Sequence, residues 1–252
     1  MLMFDLEKFK LELRQMLEKT LDDSSSISLN VEYKADLSPL TRIDIFVSDW
    51  FESSMSKEIL EKVTFISEEG PKELHFPCVV LDPIDGTREL VAGIPECAVS
   101  LAYLNSSDIR DPKNEAWIYN PFTAMEISTS QQRSFFKRSK TIAPSRGLIS
   151  RTEWKNKLTR PPSQEVILAP MGSIAFKLGL LAQGACDFVI TKRPKSLWDI
   201  AAGAVLCERY GLLFRNEKEE MRTLNSLRFE GPMIWWRPGS LSSEDLMKLL
   251  HN

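Results

Sequence analysis

Asp82-Pro83-Ile84-Asp85-Gly86-Thr87, reached directly from the apolar run Cys78-Val79-Val80-Leu81, is the stretch on which the reading of this chain turns. A short apolar run that ends in proline and glycine is strand-like, which places the turn at a strand's carboxyl end. Open α/β sheets bind ligands at that end. Glu68-Glu69 lies upstream, behind a second apolar run from Val63 to Ile66. If the two strands pair, Glu68 arrives beside Asp82. Carboxylates gathered this closely repel one another and raise each other's pKa unless a cation lies between them. A hard divalent ion such as Mg²⁺, which prefers oxygen ligands, meets that need. Asp82 and Asp85 can face one ion, with the Ile84 carbonyl as a further oxygen between them. Gly86 and Thr87 then open a short helix whose free N–H groups suit an anion. Asp-Gly alone is an ordinary surface turn. Following a buried strand, with Glu-Glu upstream, it reads as a metal-dependent phosphate site.

The bulk numbers leave room for that chemistry and remove others. A chain of 252 residues can form one large domain or two smaller ones with a substantial core. A hydrophobic fraction of 43% and a charged fraction of 27% are ordinary for a soluble enzyme. A net charge of −3 gives no reason to expect a nucleic-acid polymer or an anionic membrane as partner. No apolar run reaches the ~18 residues of a membrane span. Asp5, Glu7 and Lys8, mixed with apolar residues, are helix-like and unlike a cleavable signal, so a cytoplasmic location is expected. Cys78, Cys97, Cys186 and Cys207 lie in apolar segments without a Cys-x-x-Cys pair and read as buried, reduced thiols. Only 2 histidines are present. That excludes a His-rich zinc site and leaves His75 alone to serve a Ser-His-Asp triad. Carboxylates and metal remain.

Apolar residues from Phe4 to Leu21 form a helical stripe, and a polar break follows from Asp22 to Ser26. A second helix is expected from Thr41 through Ile45 and Trp50 to Met55. Strands are expected at 63–67, 78–82, 97–104, 115–119 and 124–128. The polar and basic segment 129–146 reads as a domain junction. Beyond it, strands near 146–150, 165–169 and 186–190 alternate with helices near 172–183 and 198–209, an α/β pattern. A strand at Pro232–Trp236 and a helix at 241–250 close the chain. The expected division is 1–140, carrying most of the metal ligands, and 141–252, closing the pocket. The spacing leaves two acids ambiguous. Thr41-Arg42-Ile43-Asp44 has the form of a capping box, and Asp199 after Trp198 sits where an acid complements a helix dipole.

With these residues in hand, the chain resembles the magnesium-dependent, lithium-sensitive phosphatases of the inositol monophosphatase family. The likeness runs through Lys34, Ser38-Pro39-Leu40-Thr41-Arg42-Ile43-Asp44, Ile66-Ser67-Glu68-Glu69, Asp82 to Thr87, Gly172-Ser173 and Trp198-Asp199-Ile200-Ala201-Ala202-Gly203. It implies a layered αβαβα sandwich. It also implies that Glu68, Asp82, the Ile84 carbonyl, Asp85 and Asp199 hold two or three Mg²⁺ ions. Asp44 and Thr87 would orient and deprotonate the attacking water, Glu68 sharing that ion, and the amides of Gly86 and Thr87 would bind phosphate. The resemblance allows a homodimer and makes a small phosphorylated metabolite the partner.

Substrate choice within the family is less marked. Gly86-Thr87-Arg88-Glu89-Leu90 is similar to the Gly-Thr-Lys-Glu-Phe run of the 3′(2′),5′-bisphosphate nucleotidase branch. Ser150-Arg151-Thr152 is similar to that branch's Ser-Arg-Ser-His, with Glu153 where the histidine falls. Ser173, Lys177 and Lys192 are the expected substrate contacts, with Arg193 and Lys195 following in the same basic cluster; a bisphosphate needs such extra cations, and the cluster equally has the form of a solvated loop. The favoured substrate is adenosine 3′,5′-bisphosphate. Inositol monophosphate or another sugar phosphate is the alternative, and a catalytically inactive phosphate- or metal-sensing module is the reading from another class. Ser130 to Phe135 replaces the family's Gly-x-Gly-Ala hairpin.

Overall fold

The computed structural model describes residues 4–21, 31–34, 39–70, 73–131, 144–157 and 159–251. In chain order the first half runs α1 (Leu6–Leu21), β1 (Glu32–Tyr33), β2 (Pro39–Leu40), α2 (Arg42–Ser54), α3 (Lys57–Leu60), β3 (Thr64–Ser67), β4 (Cys78–Asp85), α4 (Thr87–Val91), β5 (Ala98–Leu104), β6 (Glu115–Asn120) and β7 (Met125–Ser128). The second runs β8 (Ser145–Ile149), α5 (Arg151–Lys155), β9 (Val166–Pro170), α6 (Ile174–Gln183), β10 (Phe188–Thr191), β11 (Lys195–Ser196), α7 (Leu197–Arg209), β12 (Leu213–Asn216), β13 (Arg228–Phe229), β14 (Met233–Trp236) and α8 (Ser243–His251).

Two five-stranded sheets form, in the orders β3-β4-β5-β6-β7 and β12-β14-β10-β8-β9. Strand alternation sorts their residues into separate cores. Val79 and Leu81 of β4, with Val99, Leu101 and Trp117, face Phe9, Leu13, Val47 and Phe51 of α1 and α2. Cys78 and Val80, with Ala98, Ala102 and Ile118, face α6 and α7 on the other side. The same two helices meet Val189, Met233 and Trp235 of the second sheet. Phe188, Ile190 and Ile234 point to its outer face, against Leu249 and Leu250 of α8. The layers are therefore helix, sheet, helix, sheet, helix: the expected αβαβα sandwich. Strands buried on both faces carry apolar runs without alternation, as β4 does.

The middle layer is close-packed. A Cβ on Gly203 of α7 would stand 2.5 Å from the Leu178 Cβ of α6. Gly203→Ala is expected to destabilise the protein. Alanine gains about 1 kcal/mol of helix propensity over glycine, whereas forcing a methyl against a fixed Cβ costs about 1–3 kcal/mol. A lowered urea midpoint at unchanged slope is the expected reading.

β12 is absent from the sequence expectations because Leu213-Phe214-Arg215-Asn216 mixes charge with apolar residues; as an edge strand it pairs with β14 alone. The polar break at 22–26, Ser38 and most of the basic stretch at 131–140 lie outside the described residues. The four cysteines are buried, and none forms a disulfide. No described helix is long and apolar enough to cross a membrane.

Candidate active site

β3 pairs parallel to β4, Ser67 opposite Leu81, and the Glu68 N–H continues the ladder to the Leu81 carbonyl at 3.2 Å. That register delivers Glu68 beside Asp82. Strict alternation would send Asp82 and Asp85 to opposite faces. The pairing with β5 prevents it: Asp82 lies opposite Ser100 and Asp85 opposite Ala98, so β4 carries one extra residue. This β-bulge re-aims the strand end and turns both aspartates into the cleft. Gly86 follows at φ 97°, and a Cβ there would lie 2.9 Å from the Glu96 carbonyl. Only glycine fits both demands.

Each remaining acid is held by a helix start. Asp44 closes the capping box of α2, taking the Thr41 N–H at 2.8 Å and the Thr41 hydroxyl at 2.5 Å on Oδ2. Its Oδ1 lies 3.2 Å from the Thr87 hydroxyl, which is also 2.9 Å from the Ile84 carbonyl. Asp199 closes the equivalent box on α7, its Oδ2 accepting the Ser196 N–H at 2.8 Å. Capping and site placement are compatible, because each carboxylate turns its other oxygen elsewhere.

Asp82, Asp85 and Asp199 each bring one carboxylate oxygen within 4.8 Å of the others. Asp82 is buried, and its Oδ1 has no hydrogen-bond partner. Burial first, then the charges of Glu68, Asp85, Asp199 and Asp44, hold the Asp82 carboxyl well above the usual range. Burial chiefly pushes Asp199 to about 7, with Asp85 and Glu68 adding to it against Lys195. Glu68 is raised by burial, against the opposing charge of Lys34 2.6 Å away. Lys34 also bonds Glu69; burial works against its charge, but the two glutamates outweigh that and raise its pKa. A buried carboxylate oxygen left unpaired is costly. The three converging carboxylate oxygens, all hard donors, fit a divalent cation.

The expected substrate contacts fare differently. Lys177 is buried at the cleft wall, bonded to the carbonyls of Met171 at 2.9 Å and Gly172 at 3.4 Å, and burial lowers it to about 8. Ser173 lines the cleft, but its hydroxyl donates to Asp85 Oδ2 at 2.7 Å and accepts the Phe176 N–H at 2.9 Å. With the Ala175 N–H also on Asp85 Oδ2 at 2.5 Å, Ser173 locks a carboxylate to the start of α6 rather than facing a substrate. Lys192 does not reach the cleft. Its ammonium caps the end of α8, 2.5 Å from the Leu249 carbonyl and 3.1 Å from that of Leu250. A helix C-terminus presents unsatisfied carbonyls that attract a cation. Arg193 and Lys195 line the cleft instead, together with Arg88. Arg151 joins the two halves across the rim, bonded to Glu96 with Glu89 3.9 Å away.

The cleft encloses about 300 Å³, room for a small ester. A carboxylate cage, with Arg88, Arg193 and Lys195 lining the same cleft, describes a site for metal and phosphate. The match to the inositol monophosphatase family model runs over residues 5–238, and the chain belongs to that family. The fructose-1,6-bisphosphatase of Pyrococcus furiosus is 30% identical over 55% of this chain and 55% of its own length. The 3′(2′),5′-bisphosphate nucleotidase CysQ of Haemophilus influenzae is 24% identical over 77% of this chain and 78% of its own. The first of these alignments thus spans about half of its relative. Among solved structures, an IMPase of Thermotoga maritima superposes with a TM-score of 0.74 at 20% identity, covering 98% of this chain and 97% of that one. An IMPase/NADP phosphatase complexed with Mg²⁺ and phosphate gives 0.72 at 15% identity, covering 98% and 93%.

Proposed function

We propose that the protein is a cytoplasmic, Mg²⁺-dependent phosphomonoester hydrolase acting on a small bisphosphorylated metabolite, with adenosine 3′,5′-bisphosphate the favoured substrate. The convergence of Asp82, Asp85 and Asp199 on one point, with the Asp82 Oδ1 buried and unpaired, carries the catalytic half of the reading. These three residues, Glu68 and the Ile84 carbonyl would hold the ions. Bound there, Mg²⁺ lowers the pKa of water and offsets charge on the phosphoryl group and leaving oxygen.

The chain's own groups orient the water. A hydroxyl has one proton, so Thr87 cannot donate to Asp44 and Ile84 together. Donation to Asp44 Oδ1 frees the Ile84 carbonyl for a cation and turns the Thr87 lone pairs to accept a proton from water. Asp44 is the base behind Thr87, held in the capping box. No histidine is needed. Thr87→Val is expected to lower kcat by about 10²–10⁴, while Thr87→Ser retains most of the rate. A near-wild-type rate in Thr87→Val, with the loss falling on Thr87→Ser, would argue that the methyl group's packing matters and the hydroxyl does not.

The cations Arg88, Arg193 and Lys195, which line the cleft, support a substrate with a second anionic group. Relatives named for fructose 1,6-bisphosphate and for 3′(2′),5′-bisphosphates share that chemistry. The test is phosphate release with Mg²⁺ from adenosine 3′,5′-bisphosphate, fructose 1,6-bisphosphate and inositol 1-phosphate. The nucleotide is expected to give the highest kcat/KM. Preference for the sugar bisphosphate would keep the second-anion reading and change the leaving alcohol. Preference for the inositol ester would reduce the cations to a solvated rim.

A further inference from the structure

Glu153, at the centre of α5, is 1% exposed and forms part of the cleft wall, yet it pairs with no lysine or arginine among the described residues. Its Oε1 accepts three hydrogen bonds from one turn: the Thr191 hydroxyl at 2.8 Å, the Lys192 N–H at 2.9 Å and the Arg193 N–H at 3.0 Å. Its Oε2 is buried without a partner. Consecutive N–H groups converging on one anion form a nest, whose geometry is fixed by what fills it. The turn is clamped from its other side as well. A Cβ on Gly231 would lie 2.5 Å from the Lys192 carbonyl oxygen, and the Lys192 ammonium is tied to the end of α8. The turn that these contacts hold carries Arg193 and Lys195 into the cleft and runs directly into Ser196, the cap that Asp199 closes.

We propose that Glu153 is the positioning residue of the second-anion subsite: its carboxylate fills the 191–193 nest and so sets where Arg193 and Lys195 meet the substrate group remote from the reacting phosphate. The inference rests on the bisphosphate reading above. The carboxylate's charge points the same way. A carboxylate inside the nest denies those N–H groups to the substrate, so the remote anion must be met by the Arg193 and Lys195 side chains. Arginine in particular offers a planar fork suited to phosphate. Oε1 alone makes the three bonds, so an amide oxygen in its place can keep them.

The experiment compares KM and kcat for adenosine 3′,5′-bisphosphate and inositol 1-phosphate in Mg²⁺, for wild type, Glu153→Ala, Glu153→Gln and Arg193→Ala. Glu153→Ala is expected to raise KM for the bisphosphate at least tenfold, with kcat and the monophosphate constants little changed. Glu153→Gln retains the bisphosphate KM within about threefold, because the acceptor oxygen remains. Arg193→Ala reproduces the rise, and adding Glu153→Ala to it costs little more, since both act on one contact. Losses in kcat for both substrates would make Glu153 a structural residue and overturn the proposal. A bisphosphate preference that survives Glu153→Ala overturns the positioning role alone. A wild-type enzyme with no such preference overturns both readings. Should Glu153→Ala not fold, Glu153→Asp decides: one methylene shorter, it withdraws the acceptor and must raise the bisphosphate KM selectively.

Discussion

Asp85→Asn abolishes metal-dependent phosphate release and leaves the protein folded. Asp85 Oδ2 already accepts the Ser173 hydroxyl at 2.7 Å and the Ala175 N–H at 2.5 Å, so Oδ1 is the oxygen left for a cation. An asparagine has a single acceptor oxygen. If that oxygen keeps the bonds to α6, the NH₂ group faces the ion position and repels it. If it turns to the ion, the start of α6 loses its acceptor. The first arrangement preserves the fold, and it removes one negative charge from the cage. Activity should fall at least about 10³-fold, at the upper end of losses seen for a single preorganised electrostatic group. Phosphate release and a thermal melt on the same sample check both halves. Turnover at the wild-type rate would remove Asp85 from the metal site.

The second large effect is on stability without metal. Asp82, Asp199, Glu68 and Asp44 all have folded pKa values raised above the ordinary carboxylate range, burial being the largest cause for each, with Asp199 at about 7. A group whose folded pKa is raised binds its proton more tightly in the folded state. It therefore contributes stability that is full below its unfolded pKa, near 4, and is lost as pH rises through the folded value. In EDTA the protein should lose about 2 kcal/mol between pH 5 and pH 8, a fall in Tm of about 4–8 °C. Asp108 and Asp111, whose pKa values are lowered by hydrogen bonds, lose their contribution only below that window. Saturating Mg²⁺ should raise Tm at pH 8 and flatten the dependence, because a bound cation stabilises the ionised cage. Asp82→Asn in EDTA should flatten it too, while removing the response to Mg²⁺. A Tm that is constant over this range without metal would show that the cage carries no uncompensated charge.

Much of this arrangement could be read from the residues themselves. The αβαβα layering was implied by the family resemblance, and strands that are apolar on both faces, such as Cys78-Val79-Val80-Leu81, agree with it. The capping of Asp44 was visible in the spacing Thr41-x-x-Asp44, and Asp199 was expected near a helix start, while their place in the site came from the resemblance; the structure realises a capping box at each. The bulge between Asp82 and Asp85 was not visible. It depends on the register with β5, a partner distant in sequence. Lys192, Arg193 and Lys195 form one basic cluster in the chain, but the partner that takes Lys192 away is the carboxyl end of α8, far along the sequence. Ser173 likewise turns to Asp85 because α6 begins there. Glu153 stands where the nucleotidase branch has histidine; its place in the nest needed the strand end at Thr191 to be located first. Local chemistry is legible in sequence, and the choice among nearby residues is made by long-range partners.

The most direct measurement is a crystal structure with Mn²⁺, an oxygen-seeking substitute for Mg²⁺, recorded for anomalous scattering. One peak should lie among Asp82, Asp85 and Asp199, and another beside Glu68, with the Lys34 ammonium drawn off that carboxylate. Peaks only elsewhere, with Lys34 still bridging Glu68 and Glu69 at saturating Mn²⁺, would contradict the assignment of this cage as the metal centre.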